Sequence, residues 1–351
     1  MKRMLAMMLA LTCMLALACM LALACVLCAC GRVETPIGQS FHSFRAVEDE
    51  YGVYFSLSGE HYGLYFHDKA TGKTTRVDDN FANVVLVGDT LVLGTDPHPA
   101  RDVHIYTLSA EAFRELGADW RDAAEDHVDF SWSTDIAAYG ERLAFRNNWV
   151  IGDIASSDVS LENTERFLDT NRVLCGYEDG SYYYMDVSPV DELHVRLTLC
   201  REDKPLFVLH ESWAGSASFN DYCAILDGYV YYYYENLICR RKLSRFSRME
   251  VLWDGFEGDF STSRILTIED GRITHIGSAY AIYDHSRMNF LAVTADGVYL
   301  REGREGVIRV APDGSGAVRC LHSFNQNNAY FVSAVDGKYK YACTEGVFTV
   351  E

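Results

Sequence analysis

The chain has 351 residues, 50 of them acidic and 31 basic, with a net charge of −19 and 49% apolar residues. Such acidity repels nucleic-acid phosphates and anionic headgroups, since attraction to phosphate supplies most non-specific nucleic-acid affinity, and it argues against a nucleic-acid role. A chain this long can bury a full core without disulfide staples.

Residues 1–30 open on Met1-Lys2-Arg3 and continue as an almost unbroken run of Leu, Ala, Met and Cys with no acid. That pattern is a charged start followed by an apolar export segment. The hexapeptide Met-Leu-Ala-Leu-X-Cys recurs at Met8, Met14 and Met20, which lengthens the run. It is long enough to span a bilayer uncut, for which about 20 apolar residues suffice. Leu27-Cys28-Ala29-Cys30 resembles the lipobox of bacterial lipoproteins, although Cys28 departs from the usual small residue. The resemblance implies a signal peptide over 1–29, acylation of Cys30 and a short tether over 30–40; the alternative is a non-lipidated single-span anchor. Both put the body, residues 41–351, outside the cytoplasm. Without residues 1–29 the chain keeps 29 basic and 50 acidic residues, a net charge of −21.

From Phe41 onward short apolar runs broken by tight turns replace helical periodicity, which predicts an all-β body. A Gly-containing turn between apolar runs recurs at Tyr51-Gly52, Gly88-Asp89, Tyr139-Gly140, Asp179-Gly180, Asp227-Gly228, Asp270-Gly271, Asp296-Gly297 and Asp336-Gly337. Glycine supplies the positive φ that a twisted hairpin turn needs, and Asp tolerates it. The glycine spacings are 36, 52, 40, 48, 43, 26 and 40 residues, against about 40–50 for one four-stranded propeller blade. The short spacing assigns Gly271 and Gly297 to one irregular blade and predicts a seven-bladed β-propeller, with six or eight blades as alternatives. Gly337 leaves room for two strands before the end of the chain, and Phe41 to Val47 forms an orphan strand. Together they predict a ring closed by the N-terminal strand, which would remove an exposed sheet edge.

The Asp-Gly-x-apolar-Tyr and Tyr-x-x-Asp-x-x-Thr-Gly-Lys elements resemble the repeats of bacterial propeller lipoproteins of unknown function, and loosely those of TolB-like and low-density-lipoprotein-receptor-type propellers. The resemblance implies a fold and a location; no catalytic motif accompanies it.

Six cysteines lie in the body: Cys175, Cys200, Cys223, Cys239, Cys320 and Cys343. They allow fifteen disulfide connectivities or buried thiols, and none has the C-x2-C spacing of a zinc site. Thr71-Gly72-Lys73-Thr74 lacks the earlier glycine and following helix of a phosphate-binding loop and reads as a β-turn. The runs Tyr182 to Tyr184 and Tyr231 to Tyr234 suit inner strands covered on both faces better than a stacking platform. Arg240, Arg241, Lys242, Arg245 and Arg248 form the one basic cluster, read as a solvated hairpin or as a carboxylate or phosphate site. Asp78-Asp79-Asn80 and Asp254, Glu257, Asp259 lack the spacing of a calcium loop, and no Ser-x-Asp-x-Gly-x-x-Trp box of propeller glycosidases occurs.

The longest spacing places an insertion at Ser109 to Trp132, with Ser109 poised to cap a short helix. Its carboxylates and two tryptophans nominate Trp120, Asp122, Asp126 and Trp132 as a binding element, since inserted loops emerge where recognition is placed. The reading is a lipid-anchored, non-enzymatic propeller that binds a protein or glycan partner at the cell surface as a monomer. It needs no cofactor or metal, and it meets the membrane through its anchor alone. The alternatives are a carbohydrate-active enzyme with carboxylates around the channel and a structural member of an envelope assembly.

Overall fold

The computed structural model describes residues 46–350 apart from 58–60, 81, 96–103, 128–134, 140–141, 147–153, 163–164, 169–171, 192–193, 203, 214–222, 235–236, 255–263, 270–271, 279–287, 303–305, 322–329 and 336–337. The chain is an all-β propeller of small antiparallel sheets, each made of consecutive strands. The first holds β1 (Ala46–Glu48), β2 (Gly52–Leu57), β3 (Gly63–Asp68) and β4 (Lys73–Asp78). The second holds β5 (Ala82–Val87), β6 (Thr90–Thr95), β7 (Ile105–Ser109) and β8 (Glu125–His127). The third runs from β9 (Asp135–Tyr139) and β10 (Arg142–Arg146) to β11 (Ile154–Ser157) and β12 (Glu165–Leu168). The fourth comprises β13 (Arg172–Glu178), β14 (Ser181–Pro189), β15 (His194–Arg201) and β16 (Lys204–Trp213). The fifth comprises β17 (Cys223–Leu226), β18 (Tyr229–Tyr234), β19 (Leu237–Lys242) and β20 (Met249–Trp253).

After β20 the regularity breaks. A two-stranded sheet of β21 (Arg264–Glu269) and β22 (Arg272–Ser278) comes next. It precedes a four-stranded sheet of β23 (Met288–Thr294), β24 (Gly297–Glu302), β25 (Gly306–Val310) and β26 (Ala317–Leu321). A three-stranded sheet of β27 (Tyr330–Val335), β28 (Lys338–Cys343) and β29 (Gly346–Val350) ends the chain. The expectation of seven equivalent blades is therefore corrected: five four-stranded blades follow one another, and among the described residues the β21–β22 sheet has two strands and the last sheet three. The glycine count failed because β21 and β22 form a sheet separate from that of β23–β26. Gly297 opens β24, and Gly271 lies outside the described residues.

The sheets stand face to face because their strands are apolar on both sides. All six residues of β2 are buried, whereas β4 is largely exposed, so the inner strand has neighbours on both faces and the outer strand does not. Side chains alternate along a strand, and successive tyrosines of β18 consequently enter different cores. Tyr232 packs with Val195 and Leu197 of the fourth sheet, while Tyr231 packs with Val298 and Leu300 of β24. Tyr183 and Tyr184 divide in the same way between the fifth and third sheets. These four tyrosines of the aromatic runs are packing residues.

The fifth sheet packs directly on the β23–β26 sheet, and β22 instead approaches β14. Two hairpins use the Asp-Gly device as expected: Asp179 and Gly180 have φ of 50° and 72°, and Asp227 and Gly228 have 52° and 74°. Both central residues lie in the left-handed region that matches the strand twist.

The described part of the N-terminal strand does not join the last sheet. β1 pairs with β2, with Ala46 opposite Phe55 and Glu48 opposite Val53; closure by strand addition is not shown, and residues 41–45, the rest of the strand expected to make it, lie outside the described residues. The first and last sheets meet through side chains instead. Ala342 of β28 joins the core of Ala46, Val53 and Phe55. Beside it Glu48 accepts from Lys340 at 2.8 Å and from Lys69 at 3.0 Å. Between the fourth and fifth sheets Cys175 and Cys223 form a disulfide, and Glu178 accepts from the Gly228 N–H at 2.9 Å. Burial pushes the Glu178 carboxyl up. Cys200, Cys239, Cys320 and Cys343 remain thiols.

Candidate functional site

The insertion in the second sheet is built as its sequence suggests at the start. Ser109 ends β7, and its Oγ accepts from the Ala112 N–H at 3.1 Å, capping helix α1 (Ala110–Leu116). Gly117 leaves the helix with a φ of 54°, its N–H donating to the Phe113 carbonyl. A 3-10 turn over Gly117–Ala123 then leads into β8, which returns to pair with β7.

The inner side of this insertion is fastened to two sheets. Ala110, Phe113 and Trp120 are buried with Tyr54 and Leu64 of the first sheet and Leu91, Leu93, Tyr106 and Leu108 of the second. Arg114 donates to Asp49 at 2.7 Å and to the Tyr54 hydroxyl at 2.6 Å, and that hydroxyl donates to Asp49 at 2.8 Å. Burial, with Asp49 accepting its proton, holds the Tyr54 hydroxyl well above the usual tyrosine range. Arg121 donates to Asp78 at 2.9 Å while its guanidinium lies 5.2 Å over the Trp120 ring and 5.3 Å over Tyr106.

These contacts correct the reading of Trp120 as a surface anchor. The residue is 2% exposed and meets Tyr106 edge-on at 5.2 Å, so no partner can reach it without unpacking the core. Its spacing gave a signal: Ala110 and Phe113 share a helix face three residues apart, and that face had to be covered. Trp132 lies outside the described residues. Asp122 is exposed on the 3-10 turn. Asp126 is exposed on β8, where the His104 Nδ1 lies 3.0 Å from both of its oxygens. The outer side of the insertion is thus carboxylate: Glu111, Glu115, Asp119, Asp122, Glu125 and Asp126 are all exposed.

The other nominated clusters resolve into structure. Thr71-Gly72 sits in the β3–β4 turn, where Asp68 Oδ1 accepts from the Ala70 N–H at 2.8 Å. Asp78 Oδ1 accepts from the Asn80 backbone at 2.7 Å, and Arg76 pairs with Asp79 at 3.3 Å. Glu257 and Asp259 lie outside the described residues. Among the described residues no three His, Cys, Asp or Glu side chains converge as a metal site would need.

No family model and no curated protein matches the chain. Among solved structures it is similar to TolB from Acinetobacter baumannii, at 13% identity and a TM-score of 0.36, covering 70% of this chain and 57% of that one. It is also similar to hydrazine synthase of Kuenenia stuttgartiensis, at 10% identity and a TM-score of 0.47, covering 92% and 98%. A third likeness is to PorZ, a bacterial surface component of the type-IX secretion system of Porphyromonas gingivalis, at 11% identity and a TM-score of 0.28, covering 90% and 58%.

Proposed function

We propose that this chain is a lipid-anchored extracytoplasmic propeller that holds a protein or glycan partner at the cell surface and catalyses no reaction. The observation that carries the reading is the acidic insertion. Phe113 and Trp120 root it in a core, and Arg114 and Arg121 bolt it to the first sheet, while six carboxylates face outward. A recognition surface gains from such support, because groups held by packed elements lose little freedom when a partner arrives. Basic or hydroxyl-rich partner groups fit a carboxylate surface. The anchor rests on Leu27 to Cys30, and acylated Cys30 is the expected mature terminus.

The test uses the full chain in detergent. Glu115→Lys, Asp119→Lys and Asp122→Lys combined should abolish cross-linking to an envelope partner while leaving the melting curve unchanged. Capture that survives all three reversals would rule out this surface. The mass of the N-terminal peptide tests the anchor separately: an acylated cysteine is expected, and an uncut or unmodified terminus overturns it.

A further inference from the structure

The hairpin joining β19 and β20 carries the basic cluster, and its side chains divide into two groups. Arg240 and Arg241 are used within the fold. Arg240 pairs with Glu250 at 2.7 Å, and Arg241 donates to the Val208 carbonyl at 2.9 Å while lying 3.7 Å over Phe207. Lys242, Arg245 and Arg248 are exposed and make no ion pair among the described residues. Between them stands Phe246, which is 91% exposed.

This display is held in place. The Ser247 hydroxyl bonds to the Lys242 and Ser244 carbonyls at 2.7 Å each and takes the Arg241 Nε–H at 3.1 Å, and the Leu243 N–H donates to the Gly228 carbonyl at 2.7 Å. Met249 and Val251 of β20, with Val208 of β16, add exposed apolar surface beside the tip.

We propose that this hairpin docks on an anionic phospholipid surface, with Phe246 entering the interface and Lys242, Arg245 and Arg248 meeting lipid phosphates. An aromatic ring flanked by cations suits the headgroup boundary, where the ring leaves water and the charges stay wet. Phe246 stands almost fully in solvent, and a bilayer, unlike a folded partner, needs no complementary pocket to receive it. The chain also carries its own reason to be near a membrane, the apolar run of residues 1–30, with 15 residues between it and β1. Extended, those residues reach roughly 50 Å, enough for any face of the body to turn toward the bilayer.

The acidity of the rest of the chain assists. Beyond about 10 Å salt screens it, so the three cations act on the surface they touch, while the remaining negative charge turns the other faces away. The proposal draws on the anchored reading for proximity and adds the orientation.

The test reconstitutes the full chain in phosphatidylcholine vesicles with or without phosphatidylglycerol, using acyl-chain-brominated lipid as a quencher. Phe246→Trp, compared with the unmodified chain, should show added quenching in anionic vesicles that falls several-fold in neutral ones or at 1 M salt. Lys242→Gln, Arg245→Gln and Arg248→Gln combined should remove it, each cation contributing roughly fivefold to surface affinity. Val318→Trp, on another exposed position, should remain unquenched. A residue 246 tryptophan equally wet in both vesicles overturns the docking, as does one that dries only when envelope protein is added. Flotation separates the two ideas: a chain that floats with neutral vesicles while the tip stays wet keeps its anchor and loses the hairpin. A chain that floats only with anionic vesicles, with a quenched tip, does the reverse.

Discussion

Replacing Trp120 by alanine tests the architecture of the insertion most directly. The indole is among the largest fully buried side chains and packs on Tyr106 and Phe113. Its removal forfeits transfer free energy and leaves a cavity, which for a tryptophan costs about 3–5 kcal/mol. Its Nε1 is buried without a hydrogen-bond partner, so no hydrogen bond is lost. Loss of the ring beneath Arg121 adds about 0.5–1 kcal/mol, and the total falls near 4 kcal/mol. With a urea slope of about 3 kcal/mol per M, the midpoint should fall by roughly 1.3 M. Trp120→Phe keeps most of the packing and drops the orphaned donor, and should cost only about 1–2 kcal/mol. Asp122→Ala should stay within about 0.5 kcal/mol. If Trp120→Ala leaves the midpoint within about 0.2 M of the unmodified chain, the indole is not a core group, and the anchoring of the insertion fails with it.

Three further outcomes follow from the seams and cores. Glu48 is charged where the first and last sheets meet: burial works against its charge, but Lys340 and Lys69 outweigh it and hold the carboxyl below its ordinary 4.5. Its contribution is therefore present above that value and lost as pH falls through the lower folded one; Glu48→Gln should cost about 1–3 kcal/mol at pH 7 and flatten the acid limb of a stability–pH curve. His210 is pushed down to about 4 by burial, so it stays neutral in the fold. Stability should be full above about 6.5, decline toward pH 4 as the unfolded chain takes the proton, and lose that decline in His210→Leu; an unchanged slope across this window would place the imidazole in water. The Cys175–Cys223 bridge closes a separation of 48 residues, so Cys175→Ala with Cys223→Ala should cost up to about 4 kcal/mol. Thiol titration of the unfolded, unreduced chain should leave these two cysteines unreactive, and their full reaction would deny the bridge.

Local chemistry was the legible part. Asp179-Gly180 and Asp227-Gly228 announce their turns because few residues accept two consecutive positive φ values. Tyr231 and Tyr232 announce a strand covered on both sides, since alternation sends adjacent rings to opposite faces. The number and completeness of the blades were not legible. The β21–β22 segment carries the same Asp-Gly dipeptide in its sequence as a full blade, and which outer strands follow depends on packing distant in sequence. Trp120 misled for a related reason: an insertion rich in carboxylates looks like a free loop until the faces carrying Phe113 and Trp120 find the sheets they cover. Glu48, Lys69 and Lys340 gave no hint of one another, because 292 positions separate the first from the last.

The short first strand also sets how the body would respond to a pull. Any tension on the chain ahead of Ala46 arrives at β1, three residues that among the described residues pair with β2 alone. Glu48, 7% exposed at its side chain and gripped by Lys340 and Lys69, ends that strand and joins it to the last sheet. Force entering at the N-terminal end is therefore shared with the C-terminal end across this ion triad and the Ala342 core beside it, instead of peeling the blades in sequence. The ring would give way first as a latch opening between its two ends, with the remaining seams still shut.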